Sequence, residues 1–212
     1  MNQVLTHGLY AITDPDLIPA GRLPAVVEQA LLGGVRLLQY RNKRDSRQQQ
    51  RQQAGALNEL CRAHAVPLLI NDDVALAAKV GAAGVHLGKD DMEPAAARQR
   101  LGAEAIIGIS CYNRLELALA AARAGADYVA FGSFFPSPSK PEAVHADPDL
   151  LRQAKALLSI PIVAIGGITP ANGKTLIEAG ADYLAVISGV FGQPDSRAAA
   201  QSYVRLFEES RL

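Results

Sequence analysis

One junction, repeated along the chain, limits the architectures open to it. Leu32-Gly33-Gly34-Val35, Gly81-Ala82-Ala83-Gly84-Val85, Ala124-Gly125-Ala126-Asp127-Tyr128 and Ala179-Gly180-Ala181-Asp182-Tyr183 each place glycine where an alanine-rich segment gives way to an apolar run. Glycine accepts the left-handed conformation that closes a helix, which residues bearing a Cβ resist. A helix end followed at once by a strand, used again and again, means an array of βα units.

The rest of the chain fits that array. Strands are expected at Gly8 to Thr13, Val35 to Arg41, Pro67 to Asp72, Gly84 to Gly88, Ile106 to Ser110, Tyr128 to Ser133, Pro161 to Ile168 and Tyr183 to Ser188. Helices are expected at Pro24 to Leu32, Ser46 to Ala65, Val74 to Val80, Glu93 to Leu101, Arg114 to Ala124, Pro148 to Leu158, Pro170 to Ala179 and Ser196 to Glu209. Eight units in 212 residues allow about 26 residues each, which suits a compact TIM (β/α)8 barrel with short helices. The expectation is an α/β fold with one catalytic barrel domain over residues 1–212. Local periodicity does not reveal sheet closure, so a doubly wound open sheet stays open on pattern alone. A dinucleotide-binding version of that sheet needs G-x-G-x-x-G at the first turn, and the chain reads Asp14-Pro15-Asp16-Leu17-Ile18 there.

Composition excludes several classes of partner. Basic and acidic residues balance at 21 each, so no global field draws nucleic acid or an anionic membrane. Aromatics are 5% of the chain and Trp is absent, which leaves little for stacking on single strands. Met1 to Tyr10 lacks the charged-then-apolar order of a signal segment, and no apolar run has membrane-spanning length. A cytoplasmic protein is expected, with small-molecule partners, no nucleic acid and no membrane; homo-oligomerisation is left open. Cys61 and Cys111 sit far apart without metal-ligand spacing and are expected to be buried free thiols.

Barrels build their sites at the C-terminal ends of their strands, and the polar residues there are the candidates. The second strand ends Gln39-Tyr40-Arg41-Asn42-Lys43, and alternation sets Gln39, Arg41 and Lys43 on one side, a cationic set suited to a phosphate. Arg44 and Arg47 read as a solvated face. The third strand ends Asn71-Asp72-Asp73, and Gly88-Lys89-Asp90-Asp91 follows the fourth. Adjacent strands lie about 4.8 Å apart, so Asp72 and Asp91 can converge on one ion. Mg²⁺ commonly takes one or two carboxylates plus water and phosphate oxygens. Asp73 and Asp90 read as helix caps.

Ser110 closes the fifth strand, offering a hydroxyl to a phosphate or a cap to the next segment. The stretch Phe134-Phe135-Pro136-Ser137-Pro138-Ser139-Lys140-Pro141 reads as an anion-binding loop after the sixth strand. The last two strands end Gly166-Gly167 and Ile187-Ser188-Gly189, where glycines let backbone N–H groups approach a phosphate. His86, inside the fourth strand, reads as a structural histidine.

Taken in order, Gln39-x-Arg41-x-Lys43, Asn71-Asp72, Gly84-Val85-His86-Leu87-Gly88 with Asp91, Gly108-Ile109-Ser110, Gly132 through Lys140, Ala164-Ile165-Gly166-Gly167-Ile168 and Ile187-Ser188 resemble the thiamine-phosphate synthase family. The resemblance implies a transferase. It would join 4-amino-2-methyl-5-hydroxymethylpyrimidine pyrophosphate to hydroxyethylthiazole phosphate, releasing pyrophosphate by a dissociative, Mg²⁺-assisted substitution. It further implies that Gln39, Arg41, Lys43 and Asn71 bind the pyrimidine diphosphate and that Asp72 and Asp91 hold Mg²⁺. Ser110 and Lys140 would contact the leaving diphosphate, with Lys43, Ser110 and Lys140 as the catalytic set. Ser137, Ser139, Gly167, Ile187 and Ser188 would line the thiazole-phosphate side. The chain departs from a common family form at Tyr112, where histidine is frequent, and at Ser137 and Ser139, where threonine is frequent. A thiazole tautomerase, the sister family, relies on that histidine and is the weaker reading. A phosphosugar isomerase needs a positioned acid/base pair that these endings do not supply. A noncatalytic binding module is disfavoured by the intact set Lys43, Asp72, Asp91 and Lys140.

Overall fold

Alternation within short strands sorts the apolar residues of this chain into two cores, and a closed sheet is what lies between them. A computed structural model describes residues 5–136 and 144–210. Its strands are β1 (Gly8–Ile12), β2 (Leu37–Tyr40), β3 (Leu68–Asn71), β4 (Gly84–Leu87), β5 (Ile106–Tyr112), β6 (Tyr128–Phe131), β7 (Ile162–Ile165) and β8 (Tyr183–Val186). All neighbours pair in parallel, and β1 pairs with β8 as well as β2, closing the barrel in sequence order. The open-sheet alternative is thereby removed.

Inside the barrel, Tyr10, Leu37, Leu69, Tyr128, Val163 and Tyr183 form one core. Their neighbours in sequence, among them Leu9, Leu38, Leu68, Val129 and Leu184, face outward into a second core. That outer core is covered by α1 (Leu23–Leu32), α2 (Arg47–Ala63), α3 (Val74–Val80), α4 (Pro94–Leu101), α5 (Leu115–Arg123), α6 (Asp149–Leu157), α7 (Gly173–Glu178) and α9 (Ser196–Glu209). Among the described residues no helix is long and apolar enough to cross a membrane. Cys61 and Cys111 are buried free thiols, as expected, and burial pushes both up to about 12.

The elements begin and end for local reasons. Ser46 caps α2 in a reciprocal box with Gln49, and Asp73 accepts the Leu76 N–H at 2.8 Å to start α3. Gly81 closes α3 in the left-handed region at φ 65°. Asp90 caps nothing, contrary to expectation, because α4 starts further on, at Pro94 with Glu93 in the cap position. Proline at the first helical position sets that start, since its missing N–H is not needed there.

Two elements lie outside the sequence expectation: a 3₁₀ turn at Ala20–Arg22 and the one-turn helix α8 (Ser188–Phe191). The latter overlaps the expected end of the last strand, because four residues carry no readable helical period. Conversely β5 runs past its expected end to Tyr112 through a bulge beyond Ser110.

The repeated Gly-Ala-Asp-Tyr junction has a further use. Asp127 accepts the Ile107 N–H at 2.7 Å, and Asp182 accepts the Ile162 N–H at 2.8 Å. Arg98 and Lys155 pair with these carboxylates at 2.7 and 2.6 Å. Asp182→Ala is expected to leave a buried N–H without its acceptor, costing about 1–3 kcal/mol. A drop in melting temperature of roughly 3–9 °C in a thermal melt would register it. An unchanged melt would mean that water replaces the carboxylate.

Candidate active site

The C-terminal mouth gathers the charged strand ends, and their geometry follows from strand parity. Gln39 points into the barrel and is buried, while Tyr40 points out and donates to Gln53 at 2.6 Å. Just beyond β2, the Arg41 N–H donates to the Thr13 hydroxyl at 3.0 Å, and its guanidinium lies 3.7 Å from the Asp14 carboxylate. Lys43 reaches across to β3, its Nζ 2.8 Å from the Asp72 carboxylate. Arg44 and Arg47 pair with exposed or partly exposed carboxylates, on the solvated face assigned to them.

Asn71 ends β3 half-buried, and Asp72 follows in the left-handed region at φ 62°, its N–H donating to the His86 carbonyl at 2.9 Å. Non-glycine residues hold that conformation at a cost, and aspartate bears it better than most. The turn aims the Asp72 carboxylate at Lys43 and toward the loop after β4. In that loop Asp91 accepts the Gly88 N–H at 2.7 Å. Burial holds the Asp91 carboxyl above its ordinary range, and the neighbouring Asp72 carboxylate adds to this; the Gly88 N–H and Lys43 pull the other way. Two acidic side chains from adjacent loops thus crowd one another beside the Lys43 ammonium, an arrangement that a divalent cation relieves.

The donor set fits Mg²⁺. Among the described residues no group of three or more His, Cys, Asp or Glu side chains is placed to hold a metal. A closed zinc centre needs four ligands, whereas Mg²⁺ accepts one or two carboxylates and completes its shell from water and phosphate.

Behind the mouth runs a line of hydrogen bonds that the sequence reading did not anticipate. Gln39 Nε2 donates to the Tyr10 hydroxyl at 2.6 Å, and the Tyr10 and Tyr128 hydroxyls are 2.9 Å apart. The Tyr128 hydroxyl lies 2.8 Å from His86 Nδ1, and His86 Nε2 lies 2.8 Å from Ser110 Oγ. The His86 ring stacks on Tyr128, centroids 5.6 Å apart. Burial raises both phenols well above their usual range, so both stay protonated. Ser110 is held by His86 within the strand and caps no helix. Parity was the available signal: Tyr10, Gln39, His86, Ser110 and Tyr128 all fall on inward positions of their strands.

At the far side, β7 ends in Ile165 and turns through Gly166 and Gly167 at φ 106° and 61°. A Cβ on Gly167 would meet the Pro136 carbonyl oxygen at 2.5 Å, so only glycine lets these loops approach. Ile187 is half-buried, and Ser188 is exposed at the first position of α8. Tyr112, also left-handed at φ 55°, is exposed, and its hydroxyl stands near Gly88 and Asp91. Ser137, Ser139 and Lys140 lie outside the described residues.

The family model for thiamine monophosphate synthase matches residues 9–190. The chain belongs to the thiamine monophosphate synthase family. It is 54% identical over 206 residues to the thiamine-phosphate synthase of Nitrosococcus oceani, covering 97% of this chain and 95% of that one. It is 55% identical over 202 residues to that of Marinobacter nauticus, covering 94% and 90%. Among solved structures, the thiamine phosphate pyrophosphorylase from Pyrococcus furiosus superposes with a TM-score of 0.86 at 35% identity, covering 99% and 98%. The thiamine monophosphate synthase match thus runs through every strand of the barrel, with residue 190 inside α8.

Proposed function

We infer that this chain, as one barrel domain over residues 1–212, is a thiamine-phosphate synthase: it condenses 4-amino-2-methyl-5-hydroxymethylpyrimidine pyrophosphate with 4-methyl-5-(2-phosphoethyl)thiazole. The products are thiamine phosphate and pyrophosphate. Full-length likeness to synthases above half identity supports the reaction, and the Asp72, Asp91 and Lys43 cluster at the barrel mouth carries the assignment of the diphosphate end.

Asp72 and Asp91 hold Mg²⁺ in this reading, which when bound supplies positive charge to the diphosphate. Lys43, Arg41 and Lys140 add fixed cations, and Asn71 and Ser110 offer hydrogen bonds. Charge develops on the diphosphate as the carbon–oxygen bond breaks, so groups aimed at it stabilise the transition state more than the ground state. The aminopyrimidine delocalises the positive charge left behind, and the thiazole nitrogen then attacks the methylene carbon. No protein nucleophile is needed. Gln39 binds the pyrimidine, while Ser137 and Ser139, which follow the sixth strand in sequence, act with Gly167, Ile187 and Ser188 to receive the thiazole phosphate, the last three on the two final loops where barrels commonly bind phosphate.

The test is pyrophosphate release measured with both substrates, with each alone, and with Mg²⁺ removed by a chelator. Release is expected only when both substrates and the metal are present. Tight binding of both substrates with no release would instead make the chain a binding module.

A further inference from the structure

We propose that Tyr10, Tyr128 and His86 are positioning residues that form a one-way hydrogen-bond chain, fixing Gln39 as an acceptor and Ser110 as a donor toward the pyrimidine diphosphate. The inference rests on the reading that Gln39 and Ser110 contact that substrate, and it adds which way each of them points its proton.

The direction follows from counting donors. Gln39 Nε2 donates to the Tyr10 hydroxyl. With a lone pair engaged, Tyr10 gives its single proton to the next oxygen, that of Tyr128. Tyr128 has then accepted, and its own proton goes to His86 Nδ1. A neutral imidazole with Nδ1 accepting carries its proton on Nε2, which faces Ser110 Oγ. Ser110 accepts there, so its hydroxyl proton is released for another acceptor. At the opposite end the Gln39 amide has committed its nitrogen inward, which leaves its carbonyl oxygen for a donor. A ligand with an exocyclic amine at one end and an anionic oxygen at the other matches both termini.

The chain is built to hold that sense. Its members come from β1, β2, β4, β5 and β6, so the closed sheet fixes their separations. Tyr10 and Tyr128 are 1% and 0% exposed, which excludes water as a competing partner. Ring stacking of His86 on Tyr128 and an edge contact between Tyr10 and Tyr128 fix the planes. Turning the Gln39 amide over would reverse every donor along the line. Nδ1 of His86 would then carry the proton, and Ser110 would spend its own on Nε2.

Two-bond ¹H–¹⁵N correlation of histidine-labelled protein reads the tautomer directly, with assignment from His7→Gln, His64→Gln and His145→Gln variants. The expected result is a single neutral His86 with its proton on Nε2. In Tyr128→Phe, which removes one hydroxyl and keeps the ring, that preference is lost. kcat/KM for the pyrimidine diphosphate falls about tenfold, the weight of one misdirected hydrogen bond, while KM for the thiazole phosphate stays within about twofold of wild type. Should Tyr128→Phe fold poorly, Tyr10→Phe removes the donor that orients Tyr128 and is read the same way. A proton on Nδ1 in the wild type overturns the proposal, as does a phenylalanine variant with wild-type tautomer and wild-type kcat/KM. Absence of pyrophosphate release by the wild type would sink the functional reading, and the tautomer would still decide the direction of the chain.

Discussion

Replacing Asp91 with asparagine is expected to lower kcat for pyrophosphate release by about 10²–10³-fold, the scale seen when one preorganised charge-stabilising group is removed. The melting temperature is expected to stay unchanged or to rise. Both halves come from the same geometry. Asparagine keeps an oxygen where Asp91 accepts the Gly88 N–H, so the loop retains its shape. What disappears is a negative charge that burial and Asp72 make unfavourable in the unliganded protein. An aspartate whose folded pKa is raised opposes folding when it is ionised, so its removal at neutral pH does not destabilise. On the proposed reading, function requires the crowding that stability would avoid, with two carboxylates kept close for a divalent cation. Steady-state kinetics and a thermal melt on the same preparation check both parts. A variant that melts well below wild type would show that Asp91 is structural; one with wild-type kcat would remove it from the metal site.

Much of this was legible in the sequence because barrels write their function at strand ends. Glycine at the helix-to-strand junctions marked the repeat, and Gln39, Arg41, Lys43, Asn71, Asp72, Asp91 and Ser110 stood out as polar residues closing or following apolar runs. What stayed hidden depends on closure. Nothing local says that Lys43 beyond β2 reaches Asp72 beyond β3, or that α4 starts at Pro94, too far on for Asp90 to cap it. Tyr10 and Tyr128 look like ordinary core aromatics until the barrel brings their hydroxyls together. His86 reads as structural in the sequence, and its contact with Ser110 at 2.8 Å exists only once β4 and β5 pair. One-turn α8 was invisible because a single turn has no period.

Gly108→Ala is expected to destabilise the fold by about 3 kcal/mol, at the upper end for overpacking a buried site. Gly108 sits on β5 with its inward face against the Tyr128 ring, and an added Cβ would lie 1.9 Å from that ring's Cζ and 2.3 Å from its hydroxyl oxygen. The obstacle is volume alone: unlike Gly167, Gly108 has no left-handed backbone to protect. Tyr128 has nowhere to retreat, since it is fully buried and hydrogen-bonded to Tyr10 and His86. Either the ring leaves and breaks those bonds, or β5 moves and carries Ser110 with it. Both routes lower activity along with stability, which separates this site from a glycine that serves only the backbone. In a chain of this size the melting temperature should fall by roughly 6–12 °C. Gly55, in α2 with nothing within 4 Å of an added Cβ, supplies the control; alanine there should stabilise by about 0.5–1 kcal/mol. Equal melting behaviour of the two alanine variants would mean that β5 and β6 yield cheaply. The hydrogen-bond chain behind the active site would then be less rigid than its packing requires.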